Sequence, residues 1–271
     1  MPRTADVRGL VITGFGMNCE EETAHALRMA GAKPDLVHFN DLLRGEARLL
    51  DYHILCFIGG FSFGDHIAAG TVFANKVKYR LRGPILEFVD AGRLVIGICN
   101  GFQALAKLGL LPGFEGERFE RRVTLAPNDC GTFRNAWITL AANEKSPCVF
   151  TRGIRRLDLP IRHGEGKFLV EDHTVDAALE AGGQKVLFYA DPRTGRPTEI
   201  FPHNPNGSPG GVAGICDPTG RIFGLMPHPE AFLSPWNHPD WPRRRLQGPL
   251  PAEGDGVQVF RNAVEFAAER L

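Results

Sequence analysis

The sequence has no net charge, no long hydrophobic run and no closely spaced pair of cysteines, and each lack removes a class of function. Its 31 basic residues are balanced by 31 acidic ones, whereas a general nucleic-acid binder needs a basic excess. Arg243, Arg244 and Arg245 form the densest basic cluster, but they lie among prolines and polar residues and read as a solvated loop. No apolar stretch approaches the roughly 20 residues that span a bilayer, so neither nucleic acid nor membrane is expected as a partner. The opening MPRTADVRGLVITGF has too short a hydrophobic run for a signal peptide. Cys19, Cys56, Cys99, Cys130, Cys148 and Cys216 are scattered without a C-x-x-C. That excludes zinc-finger spacing and fits reduced thiols in the cytoplasm. No internal repeat is present.

What the chain does have is core-forming material, 43% hydrophobic residues over 271 positions, and an alternating texture in its first half. Strands are expected at residues 9–13, 36–39, 52–58 and 94–98. Helices are expected at 20–30, with Asn18 near the cap and Gly31 at the end, and at 81–91. Strands alternating with helices imply a parallel sheet with right-handed crossovers. After about Glu115 the pattern shifts to shorter strands, at 136–140, 186–189 and 211–216, and a last one at 221–226. FPHNPNGSPGG and SPWNHPDWPRRRLQGPLPAEGDG read as long loops. A closing helix over 257–271 places Val259, Phe260, Ala263, Val264 and Ala267 on one face. The reading is one α/β domain over 1–271, with helices on both faces of a mostly parallel, flavodoxin-like sheet and a loop-rich extension from about residue 231.

The chemistry centres on Gly97-Ile98-Cys99-Asn100-Gly101, between an apolar strand and a helix-like run. G-x-C-x-G is the spacing of a nucleophile elbow, where glycines clear room for a strand to turn directly into a helix. A helix N-terminus favours a thiolate. Cys216 follows the same Gly-Ile pair but precedes a β-turn, and Cys56 sits inside an apolar strand; both read as structural. Cys19 is the rival, near a helix start but without a glycine after it and followed by Glu20, Glu21 and Glu22, which raise a thiol's pKa. A cysteine nucleophile needs a base and a group to orient it. Met226-Pro227-His228-Pro229-Glu230 supplies both, since residues i and i+2 of an extended segment face one side. Gly59 and Gly60, after another strand, can present half of an oxyanion hole, with the N–H of Asn100 as the other half. His163-Gly164-Glu165-Gly166 offers two metal-type ligands without a third and reads as a hairpin turn, with no metal and no catalytic role.

Elbow cysteine, upstream glycine turn and downstream His-x-Glu, in this order, resemble the class I glutamine amidotransferases. GICNGFQ, GLLPG, GGFSFGD, HGEGKF, NPNGS and GLMPHPE resemble segments of the glutaminase subunits of phosphoribosylformylglycinamidine synthase, in their order. There are departures: Ala231 follows Glu230 where the small subunits usually carry Arg, and the first loop reads GFGMNCE rather than PGSNCD. The resemblance implies Cys99 as nucleophile, His228 as acid and base, and Glu230 as orienting carboxylate. It further implies glutamine binding by Gln103 and a place for the HGEG segment near the glutamine mouth or the synthase interface. L-glutamine would be hydrolysed to glutamate and ammonia passed to a synthase partner, in a complex that admits a third small subunit. No cofactor is implied in this chain, and ATP and Mg belong to the partner, which converts formylglycinamide ribonucleotide. Two other readings remain open: a stand-alone cysteine hydrolase, such as a peptidase or γ-glutamyl hydrolase, and a catalytically silent docking subunit.

Overall fold

The computed structural model describes residues 3–271. In chain order the first half runs β1 (Arg8–Thr13), α1 (Glu20–Met29), β2 (Lys33–His38), α2 (Phe39–Arg44), β3 (Ile54–Phe57), α3 (Thr71–Arg80), α4 (Arg82–Asp90), β4 (Leu94–Ile98) and α5 (Asn100–Leu108). The second half runs β5 (Val123–Pro127), β6 (Arg134–Ala142), β7 (Arg156–His163), β8 (Glu165–Val170), α6 (His173–Ala181), β9 (Lys185–Ala190), β10 (Val212–Cys216), β11 (Ile222–Leu225), α7 (Trp241–Gln247) and α8 (Gly256–Arg270).

Nine strands form one sheet in the order β2-β1-β3-β4-β11-β10-β9-β6-β7. From β2 to β11 every pairing is parallel. That is the flavodoxin-like core the sequence implies, and β3, β4 and β11 are buried along their whole length as strands covered on both faces must be. Beyond β11 the sheet continues through β10, β9, β6 and β7, all antiparallel. The strand order reverses between β1 and β3, and ligands bind outside the carboxyl ends of the strands at such a switch. The segments after β1, β3, β4 and β11 all emerge there.

Several expectations are corrected. Phe39 begins α2 instead of ending a strand, because the His38 imidazole accepts the Asn40 N–H and caps the helix. The cap of α1 is Cys19, next to Asn18, whose N–H donates to the Gly59 carbonyl. The arginine cluster is not loop but part of α7, where Arg244 donates to Asp158 at 2.8 Å. The HGEG segment is not a hairpin: β7 pairs with β6 in the large sheet, while β8 pairs with β5 in a separate two-stranded one. Within residues 231–271, α8 buries the apolar face expected of it, including Val259, Phe260, Ala263 and Val264. One hydrophobic cluster joins residues from Val7 to Ala268. Among the described residues no helix is long and apolar enough to cross a membrane.

Candidate active site

Cys99 lies between β4 and α5 with φ 51° and ψ −105°, a strained conformation for a residue with a side chain. Its N–H is held by the Leu225 carbonyl of β11 at 2.8 Å, and its own carbonyl accepts from Gln103 N–H at 3.0 Å. The flanking glycines are steric necessities. A Cβ on Gly97 would come within 2.5 Å of Leu105 Cδ1, and one on Gly101 within 1.9 Å of the Phe57 carbonyl oxygen. Gly101 thus lets α5 press its first turn onto the end of β3. Gly101→Ala is expected to cost about 4 kcal/mol or more of folding stability, because the obstacle is backbone and cannot swing away. A urea midpoint close to that of the unmodified chain would contradict this account of the elbow.

His228 follows β11 with its N–H bonded to the Pro160 carbonyl of β7 at 2.9 Å. Its ring Nδ1–H donates to Glu230 Oε1 at 2.6 Å. The pair forms as the sequence predicts but by other local geometry. His228 is extended, whereas Pro229–Ala231 is a 3-10 turn whose first φ is set by Pro229. Both side chains are buried, His228 at 3% and Glu230 at 1% exposure. Burial works against a charge on His228, but the Glu230 carboxylate and Cys99 outweigh it and hold the imidazole well above the ordinary histidine range. That balance favours the protonated ring.

Gly59 is wedged against both groups: a Cβ there would lie 2.9 Å from His228 Cε1 and 3.8 Å from Cys99 Cβ. Gly60 has φ 122° and abuts the loop after β1, where a Cβ would reach Gly16 O at 2.6 Å. Because the Gly59 carbonyl accepts from Asn18, the planar trans peptide turns the Gly60 N–H to the opposite side.

Asn100 is buried; its Oδ1 accepts from Ser62 N–H at 3.2 Å and its Nδ2 donates to Asp65 at 2.9 Å and to Gln103 Oε1 at 3.0 Å. Gln103 in turn donates to the Glu165 carbonyl. Both ends of its carboxamide are thus engaged, and they tie the elbow to the HGEG segment. The Glu165 side chain accepts from Ala69 N–H. His163 is buried on Asn128, its Nδ1 3.0 Å from Asn128 Oδ1, and burial pushes its pKa down to about 3, with His228 adding to the effect.

The sequence reading missed β7. Arg162 places its carbonyl oxygen 3.5 Å from Cys99 Sγ, and Pro160 anchors His228. The alternation Leu157-x-Leu159-x-Ile161 is the signal that could have found this strand. Of the other thiols, Cys56 is buried and pushed up to about 12 by burial. Cys216 is raised chiefly by its hydrogen-bonded neighbour Cys148. Cys19 is raised first by burial, with Glu230 and Glu22 adding to it and His228 opposing. None of the three has the elbow geometry of Cys99.

The CobB/CobQ-like glutamine amidotransferase domain matches residues 6–267. The phosphoribosylformylglycinamidine synthase subunit PurQ of Dehalococcoides mccartyi is 43% identical, with 97% of this chain and 98% of that protein covered. The same-named subunit of Methanococcus maripaludis is 42% identical, covering 95% and 96%. Among solved structures, PurLQS from Thermotoga maritima contains a chain that aligns with a TM-score of 0.71 at 28% identity, covering 96% of this chain and 99% of that one. A glutamine amidotransferase from the same organism shares the fold, with a TM-score of 0.53 at 15% identity over 98% and 99% of the two chains. The chain belongs to the CobB/CobQ-like glutamine amidotransferase domain family.

Proposed function

We infer that this chain is the glutaminase subunit of phosphoribosylformylglycinamidine synthase. It hydrolyses L-glutamine to glutamate and supplies ammonia to a synthase subunit, which converts formylglycinamide ribonucleotide to formylglycinamidine ribonucleotide with ATP. The observation that carries this reading is the convergence of an elbow thiol and a buried His228–Glu230 pair in a chain matched almost end to end by subunits of that enzyme. ATP and Mg belong to the synthase subunit, and no cofactor is assigned to this chain. The cytoplasm, where reduced thiols persist, is the proposed compartment.

The proposed chemistry follows from the geometry. The Cys99 thiolate attacks the side-chain carbonyl carbon of glutamine. The resulting oxyanion is received by the N–H of Asn100, free of an intrahelical partner at the start of α5, and by the glycine turn. Gly60 is the better-placed donor of the turn, while Gly59 leaves room for the imidazole and thiol to approach. His228, as the imidazolium that Glu230 favours, gives its proton to the departing ammonia and leaves a glutamyl thioester on Cys99. The now neutral imidazole takes a proton from water, whose oxygen attacks the thioester and releases glutamate. Glu230 keeps the ring oriented and stabilises its cationic form. Gln103 borders the glutamine site and fixes the Glu165 carbonyl beside it.

A diazo-ketone analogue of glutamine tests the assignment, because only an activated thiol in a glutamine-shaped site should react. Peptide mass spectrometry is expected to find the label on Cys99 alone, with labelling faster once the synthase subunit is added. A label on Cys19, or none on any cysteine, would remove Cys99 from the nucleophile's role.

A further inference from the structure

A second thiol stands beside the catalytic pair. Cys19, at the start of α1, joins His228 and Glu230 in presenting sulfur, nitrogen and oxygen atoms that all lie within 4.8 Å of one another. Zinc held at its usual bond lengths of about 2.0–2.3 Å keeps its donors roughly 3.5 Å apart, which small side-chain rotations would reach here. Two of the donor groups are also incompletely satisfied. His228 Nε2 and Glu230 Oε2 are buried without a hydrogen-bond partner, and such atoms call for an explanation. A cleft of about 580 Å³ is lined by Cys19 and Glu230, with Glu21, Glu22 and His25 along its wall. Arg162 also lines it, and with Glu21 paired to Arg28 at 3.8 Å, Glu22 and Glu230 are the carboxylates left at the opening to meet a cation.

We propose that Cys19, His228 and Glu230 form a site for a soft divalent cation, zinc foremost, which enters through this cleft and arrests glutamine hydrolysis. Thiolate, imidazole and carboxylate together suit zinc, whereas magnesium prefers an all-oxygen shell. Cys19 and the imidazolium of His228 each release a proton to solvent on binding, so a thiol with no part in the reaction becomes the anchor of the inhibitor. If zinc takes Nδ1, the imidazole loses the hydrogen bond that orients it. If it takes Nε2, the ring loses the nitrogen that faces the reaction. Either way the ring can no longer move a proton. Binding rests on the geometry of the three side chains alone, while the arrest rests on the roles proposed above.

Zinc chloride titrated against a chromophoric zinc indicator, with the purified chain in competition, measures the binding. One tight site is expected in the unmodified chain and in Cys99→Ser. In Cys19→Ala and in the near-isosteric Cys19→Ser, affinity should fall at least about tenfold, the loss that even outer-shell changes cause at metal sites. In the complex with the synthase subunit, the zinc concentration that halves glutaminase turnover should rise by the same factor. Each variant is compared with its own chelator-treated rate. Absence of zinc binding overturns the site, as does binding abolished by Cys99→Ser or unaffected by both Cys19 variants. Zinc bound through Cys19 with turnover unimpaired would overturn the arrest, and with it the role of His228 as proton carrier.

Discussion

Cys99→Ser should lower glutamine-supported product formation by more than about 10⁴-fold while leaving ammonium-supported formation intact. Serine nearly matches the thiol in size, so the elbow, its hydrogen bonds to Leu225 and Gln103 and the surrounding surface are retained. What is lost is the sulfur nucleophile, intrinsically far more reactive than a hydroxyl. The complex with the synthase subunit, ATP and formylglycinamide ribonucleotide is assayed twice. One assay uses glutamine, and the other uses high ammonium at alkaline pH, where free ammonia is plentiful. Retention of the glutamine-supported rate would remove Cys99 as nucleophile. Loss of both rates in a complex that still assembles would refute the division of labour between the two chains. A stand-alone peptidase or γ-glutamyl hydrolase would need no partner, and its substrates would be peptides or γ-glutamyl conjugates.

Glu230→Gln should reduce kcat by up to roughly 10⁴-fold, as comparable lesions of an orienting carboxylate do. The amide can still accept the Nδ1–H, so shape and hydrogen bond are kept and only the negative charge goes. That charge is what overcomes the burial of His228; without it, desolvation favours the neutral ring, and the proton meant for ammonia is absent. The fall is therefore expected in kcat more than in KM, with the thermal midpoint little changed. Turnover close to the unmodified rate would mean that another group orients the imidazole.

Most of the parallel core could be read from the sequence because its strands are buried on both faces and appear as unbroken apolar runs, as in Leu94–Ile98. The elbow was legible for a related reason. Gly97 and Gly101 are dictated by backbone and side-chain atoms that lie too close for any Cβ, so the chemistry leaves a spelling in the chain. His228 and Glu230 stand two apart and could be paired without knowing the turn between them. The antiparallel half was less legible. β7 carries Pro160 among its apolar positions, which argues against a central strand, but β7 is the sheet's edge, where a missing N–H is tolerated. α3 buries only Phe73, Ala74 and Val77, too few apolar positions to show a helical period clearly. From the sequence Cys19 reads only as a competing nucleophile, because nothing local places it next to His228 and Glu230. That contact exists only once β1 and β11 are both in the sheet.

The edge position of β7 carries a consequence for how the enzyme comes into being. In the sheet β7 is separated from β11 by three strands, yet its Pro160 carbonyl holds His228 and its Arg162 carbonyl lies against Cys99. The antiparallel half must therefore curl until its outermost strand meets the ends of the parallel one. The Cys99–Arg162 contact closes a loop of 63 positions, an entropy cost that the rest of the packing must offset. The Cys99 thiol and the His228 N–H therefore meet their β7 carbonyls only when that edge strand has docked.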